Sequence, residues 1–145
     1  MRHILTSVVL VVFLFPSLGL SEKLYDLVGR EGVFYKRFTD VPFTGKVTGL
    51  SQGKLKNGKK VGPWVEYHVN RQLSSKGTFK NGKPEGPRVE FWSNGQLLSK
   101  GTWKNGKKEG PWVFYNEDRT KRFSAHSLGP LIDEGAGIYK NGVKQ

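Results

Sequence analysis

The sequence predicts an all-β protein, an elongated antiparallel β-meander of tandem β-hairpin repeats preceded by an N-terminal signal helix. Three observations predict it. Residues 51–119 match themselves at a shift of 24, an Asn-Gly pair sits inside each copy, and residues 4–15 form an apolar run behind Arg2 and His3. They divide the chain into a secretion signal peptide at 1–21, an N-terminal hairpin and degenerate first repeat at 22–50, three repeats at 51–119, and an insertion loop with a C-terminal half-repeat at 120–145.

The first element has the basic, apolar, small-residue order of a secretory signal. Pro16 ends the apolar run, and Ser17, Gly19 and Ser21 supply small residues for cleavage after Gly19 or Ser21. A membrane-spanning helix needs about 20 apolar residues. This run is shorter, so cleavage is expected rather than anchoring, with export to the periplasm or beyond. The chain has no cysteine. Neither disulfides nor a lipid-modified cysteine can support the exported domain, which must stand on β-pairing.

Next, Leu27-Val28 and Val33-Phe34-Tyr35 flank Gly29-Arg30-Glu31-Gly32 and read as a leading hairpin. Val41 to Val47 reads as a degenerate first unit. Repeat arrays need such atypical ends because a regular unit leaves its outer edge unpaired.

The 24-residue shift then aligns Gly53, Gly77 and Gly101; Leu55, Phe79 and Trp103; Asn57-Gly58, Asn81-Gly82 and Asn105-Gly106; and Gly62-Pro63, Gly86-Pro87 and Gly110-Pro111. Asn-Gly between alternating apolar positions predicts a two-residue type I′ turn, which needs positive φ at both central residues. Regular pairing about that turn sets Gly53 opposite Gly62, Gly77 opposite Gly86 and Gly101 opposite Gly110. Two readings follow. A large ring from a neighbouring unit, such as Phe79, Trp103 or Trp112, lies across the bare backbone, or the glycines mark a bulge. Between repeats, Ser93-Asn94-Gly95-Gln96 reads as a second type I′ turn. Arg71 and Arg119 stand at the position of Gly95, so those two turns are expected to be looser or of another type. The pattern lapses from Thr120 to Glu134, with Gly129-Pro130 as a loop signal, and returns as a half-unit from Gly137 to Lys144.

Lys-Asn-Gly-Lys, a spacer, Gly-Pro-Trp-Val, an acidic residue and Tyr resemble the variant MORN repeat family. Phe34 to Phe38 followed by Pro42 to Lys46 is similar to a stretch carried by its bacterial YwqK-like members. The resemblance covers roughly residues 25–145. It implies a sheet of consecutive hairpins and no catalytic residue. Arg88 departs from it, standing where Trp64 and Trp112 stand in the flanking units, which breaks uniform ring stacking.

Composition bounds the function. The formal charge is +12, which suits acidic proteins, anionic lipid or nucleic acid. The turn lysines Lys56, Lys59, Lys60, Lys80, Lys83, Lys104, Lys107 and Lys108 are the leading binding candidates, expected as a basic ladder along one sheet edge with tips about 10 Å apart. Hairpin tips are also simply wet, and edges need like charge to repel one another. Trp64, Trp92 and Trp112, with the other rings of the repeats, are candidates for a peptide or glycan face, or else constitute the core. No catalytic residue, metal site or cofactor is expected. His3, His68 and His126 share no ligand spacing, and Glu66 and Glu90 are equivalent repeat positions expected to pair with lysines across strands. Nucleic acid is not an expected partner of an exported chain. The expected function is a non-enzymatic protein-interaction or scaffolding module of the bacterial envelope, with binding of anionic lipid or lipopolysaccharide as the alternative.

Overall fold

A computed structural model describes residues 21–120 and 137–145. The signal helix, expected within 1–21, lies outside the described residues except for Ser21, which begins a strand; the insertion with Gly129-Pro130 lies outside them too. At Asn57-Gly58, Asn81-Gly82, Asn105-Gly106 and Asn141-Gly142 the asparagines have φ between 49° and 53° and the glycines between 71° and 86°, as type I′ turns require. These turns join β5 (Ser51–Lys56) to β6 (Lys59–Tyr67), β7 (Leu73–Lys80) to β8 (Lys83–Phe91), β9 (Leu97–Lys104) to β10 (Lys107–Phe114), and β11 (Gly137–Lys140) to β12 (Val143–Lys144).

With β1 (Ser21–Lys23) and β4 (Gly45–Thr48), these strands form one ten-stranded sheet in the order β1-β4-β5 and onward to β12. From β4 the strands are antiparallel neighbours in chain order; β1 lies parallel to β4. The predicted meander is therefore present. Among the described residues the helical content is a single 3-10 turn, Leu24–Asp26.

The leading hairpin, β2 (Leu27–Arg30) with β3 (Val33–Lys36), pairs only with itself as a sheet. It docks on the first tip. Phe34 N–H donates to Gly58 O at 2.8 Å, Phe43 N–H to Phe34 O at 2.9 Å, and Gly58 N–H to Phe43 O at 2.8 Å. That docking closes a core of Leu27, Phe43, Val47, Leu55 and Trp64, against which Leu24, Phe34 and Phe79 pack. The degenerate unit thus supplies a cap, burying apolar surface that the first regular hairpin would otherwise expose.

Glycine does not face glycine. Lys54 pairs with Val61 but Gln52 pairs with Val65, so Gly53 alone opposes Gly62, Pro63 and Trp64. The same bulge recurs with Gly77 against residues 86–88 and Gly101 against residues 110–112. Gly62, Gly86 and Gly110 take φ of 68°, 79° and 69°, a left-handed conformation that costs a side chain about 1–2 kcal/mol. Proline follows each because a bulge tolerates a residue without an N–H. The bulge returns a ring of the same hairpin over the bare strand. A Cβ added to Gly53 would lie 2.4 Å from the Trp64 indole, and one added to Gly101 would lie 2.2 Å from that of Trp112. Both readings of the glycines hold in part, with one correction: the ring comes from the glycine's own unit, not from a neighbour.

The turns between repeats also differ from expectation. Gly95 has φ of 80° while Asn94 is not in the positive region, and Gly95 N–H donates to Trp92 O at 2.9 Å. This is a three-residue turn ending in a left-handed residue, not type I′. Arg71 and Arg119 adopt the same conformation, φ 67° and 71°, with the same bond to His68 O and Asn116 O. Those turns are neither looser nor different. The central Asn or Asp explains why: Asn70, Asn94 and Asp118 side chains each accept the N–H two residues on, at 2.9–3.0 Å, and this local bond holds the turn whatever follows.

Candidate functional site

The pleat sorts side chains onto two chemically different faces. One face carries the rings. Trp64 meets Phe79 edge-on at 6.3 Å, and Trp112 meets Trp103 at 5.5 Å, Phe114 at 5.8 Å and Tyr139 at 6.4 Å between centroids. Trp64 and Trp112 are buried. Trp92 is half-buried beside the second turn, where its indole N–H donates to Tyr115 O at 3.2 Å. Of the three tryptophans singled out in the sequence, two line the interior and the third ties neighbouring units together.

Lys60 and Lys108 also turn to this face. Lys60 Nζ sits 4.4 Å from the centre of the Trp64 ring and 5.0 Å from that of Phe79, and Lys108 Nζ sits 4.8–5.1 Å from Trp112, Phe114 and Tyr139. Cation–π contacts of this kind contribute up to about 2 kcal/mol when partly desolvated. These two lysines leave the predicted basic edge. Strand alternation could have shown it, since each follows directly on a lysine pointing the other way.

Between the two tryptophan clusters the ring face becomes ionic. Arg88 occupies the tryptophan position of the middle unit and lies over Gly77, its Cγ 3.3 Å from where a Cβ would sit. Its Nε donates to Glu90 at 2.7 Å and its Nη2 to Ser75 at 3.1 Å, with Glu66 at 3.8 Å. Lys60 bonds Glu66 at 2.9 Å, and the buried hydroxyls of Ser75 and Ser99 donate to Glu66 and Glu90 at 3.0 and 2.9 Å. Burial opposes the charge on Glu66, but the Lys60 ammonium, the Ser75 hydroxyl and Arg88 outweigh it and hold the carboxyl below its ordinary range. Contrary to expectation, the partner of Glu66 is on its own strand, brought within reach by the bulge, and Glu90 pairs with an arginine.

The opposite face is lysine. Lys56, Lys59, Lys80, Lys83, Lys104 and Lys107 close the three tips in cross-strand pairs. Alternation places Lys46, Lys54, Lys76, Lys100 and Lys140 on the same side, and all of these side chains are exposed. None of them enters an ion pair among the described residues. The two carboxylates on this side serve the backbone: Glu85 accepts the Asn105 N–H at 2.7 Å and Glu109 the Asn141 N–H at 2.9 Å. The five strand lysines escaped the sequence reading, although their even spacing from the tip lysines was the signal that places them.

The tips are locked in a ladder. Gly82 N–H donates to Lys60 O at 2.9 Å, Gly106 N–H to Pro84 O at 3.0 Å and Gly142 N–H to Lys108 O at 2.8 Å. Each tip therefore hangs on the preceding hairpin, and its charges are held in register by the backbone. Among the described residues no three histidine or carboxylate side chains gather as a metal site would need. No protein-family model and no curated protein matches the chain.

Proposed function

We propose that this chain is a non-enzymatic, exported binding module of the bacterial envelope, a repeat protein of the variant MORN type that holds an anionic partner on its lysine face. The observation that carries the reading is the one-sided charge. Eleven exposed lysines share one face and enter no ion pair among the described residues, while the acids that do form ion pairs within the repeats, Glu66 and Glu90, lie on the other. Cations near an anionic surface contribute about 1 kcal/mol each, and the sum falls with salt. Support for export is the signal-like N-terminus alone. The test is sedimentation with phosphatidylglycerol vesicles and with lipopolysaccharide at low and high ionic strength, for the protein and for a variant with Lys56, Lys59, Lys80, Lys83, Lys104 and Lys107 changed to glutamine. Binding that ignored both salt and the substitutions would sink the reading.

One observation favours the protein-scaffold reading. Phe38 is wholly exposed with a φ of 59°, and Val41 beside it is 61% exposed. A bulky apolar side chain held in a strained conformation at a loop tip suits insertion into a partner's pocket. A photo-crosslinker at position 38 that captured no envelope protein in cells would remove this support.

A further inference from the structure

Within the lysine face one feature is built rather than merely charged. Val65, Lys76, Val89, Lys100 and Val113 are paired in turn across β6 to β10, so lysine and valine alternate along a row perpendicular to the strands. Beside this row lie Thr78 and Thr102, exposed and facing the same side, and the exposed prolines 63, 87 and 111. Pro63, Val65, Lys76, Thr78, Pro87 and Val89 line an open trough of about 300 Å³. One repeat further, Pro87, Val89, Lys100, Thr102, Pro111 and Val113 hold the equivalent positions, with Val89 and Val113 flanking Lys100 as Val65 and Val89 flank Lys76.

Each trough therefore offers a cation, a hydroxyl and two apolar walls. That combination matches an acidic sugar, which presents a carboxylate, hydroxyl groups and the C–H face of its ring. A fluid headgroup layer needs the charge alone. The spacing adds a second constraint. Two strand separations come to about 10 Å, the length of one extended disaccharide, so a chain running along the row meets Lys76 and Lys100 at successive repeats. Phosphates of a nucleic acid recur more closely and would fall out of step. We infer that the two troughs are consecutive subsites for a linear acidic polysaccharide carrying one carboxylate per disaccharide, bound across the strands. This rests on the lysine face being the binding surface, and it adds the substrate class and the direction of the chain.

The test uses the whole protein and hyaluronan oligosaccharides of two, four and six sugars as defined probes, read by calorimetry. A four-sugar probe spans both troughs and is expected to bind about tenfold more tightly than a two-sugar probe, because the second contact becomes intramolecular. The pair Lys76→Gln with Lys100→Gln is expected to abolish that step, while the charge-matched pair Lys46→Gln with Lys140→Gln leaves it. All four positions are exposed, so both variants fold, which circular dichroism checks. If affinity does not rise with length, or both pairs weaken it equally, while phosphatidylglycerol vesicles or oligothymidylate bind as well, contact is by charge alone: the subsites fall and the anionic-partner reading stands. If neither vesicles nor oligosaccharides bind, both fall.

Discussion

The outer units and the middle unit make the same hairpin around different centres. In the first and third, an indole covers Gly53 or Gly101 and the surroundings are aromatic; in the second, the Arg88 side chain covers Gly77 and the surroundings are ionic. The backbone hardly registers the exchange, since equivalent positions of the three bulges and the three tip turns keep their φ values within 11° of one another. The lesson is that turn and bulge, not the ring, set the register. The ring position needs only a long side chain that spans the glycine, and what it changes is how the unit is stabilised.

The comparison can be broken most severely at the tryptophans. Trp64→Ala or Trp112→Ala is expected to cost about 3–5 kcal/mol in urea denaturation, by lost burial and the cavity left behind. Arg88→Ala is expected to cost about 2 kcal/mol, because it removes hydrogen bonds to charged partners that keep some access to water. Equal losses at all three sites would show the units to be held alike.

The glycines give the next largest contrast. Gly53→Ala and Gly101→Ala drive a Cβ into a rigid indole and are expected to lose about 3 kcal/mol. Gly77→Ala brings a Cβ no nearer than 3.3 Å to the Arg88 side chain and 3.6 Å to the Pro87 carbonyl, so its effect is expected to stay within about 0.5 kcal/mol, with chain entropy favouring alanine. None of the three has positive φ, so steric contact alone separates them.

Acid sharpens the ionic side. The carboxyl of Glu66 titrates lower in the folded chain than its ordinary value of 4.5. Such a group contributes stability that is complete above its unfolded value and is lost as pH falls through the folded one. Stability is therefore expected to decline below pH 4.5, and Glu66→Gln is expected to flatten that part of the curve in chemical denaturation at stepped pH. An unchanged acid limb would show that Lys60 and Arg88 do not hold the charge.

The smallest effect is at the turns between repeats. Arg71 spends strain in the left-handed region that Gly95 does not. Arg71→Gly is expected to raise stability by about 0.5 kcal/mol, relief of strain exceeding the entropy cost of glycine. A loss instead would mean that the arginine side chain supports its turn.

Much of this could be read from the letters. Asn-Gly recurring every 24 residues specified the tips, because a type I′ turn is a local property of two residues; alternation from each tip also carried the split of the lysines between faces, which the single edge of eight lysines expected from the sequence overlooked. The register beyond Lys54 could not be read that way. Counting from the turn assumes one residue opposite one, whereas the Gly-Pro bulge sets three residues against Gly53. The split of the lysine set is different: alternation turns Lys60 and Lys108 away from the wet edge, and the fold then brings Trp64 and Trp112 of their own strands beside the two ammonium groups.

The sequence by itself determined the repeat, its turns and its two-faced pleat, since each follows from φ preferences and period-two alternation within a few residues. Only the tertiary structure decided that a hairpin's own tryptophan covers its glycine, that Arg88 can replace it by drawing on Glu66, Ser75 and Glu90, and that the cross-strand register sets valines between the lysines of one face. Those outcomes depend on contacts between side chains brought together from neighbouring strands and units, and such contacts exist only once the strands lie side by side.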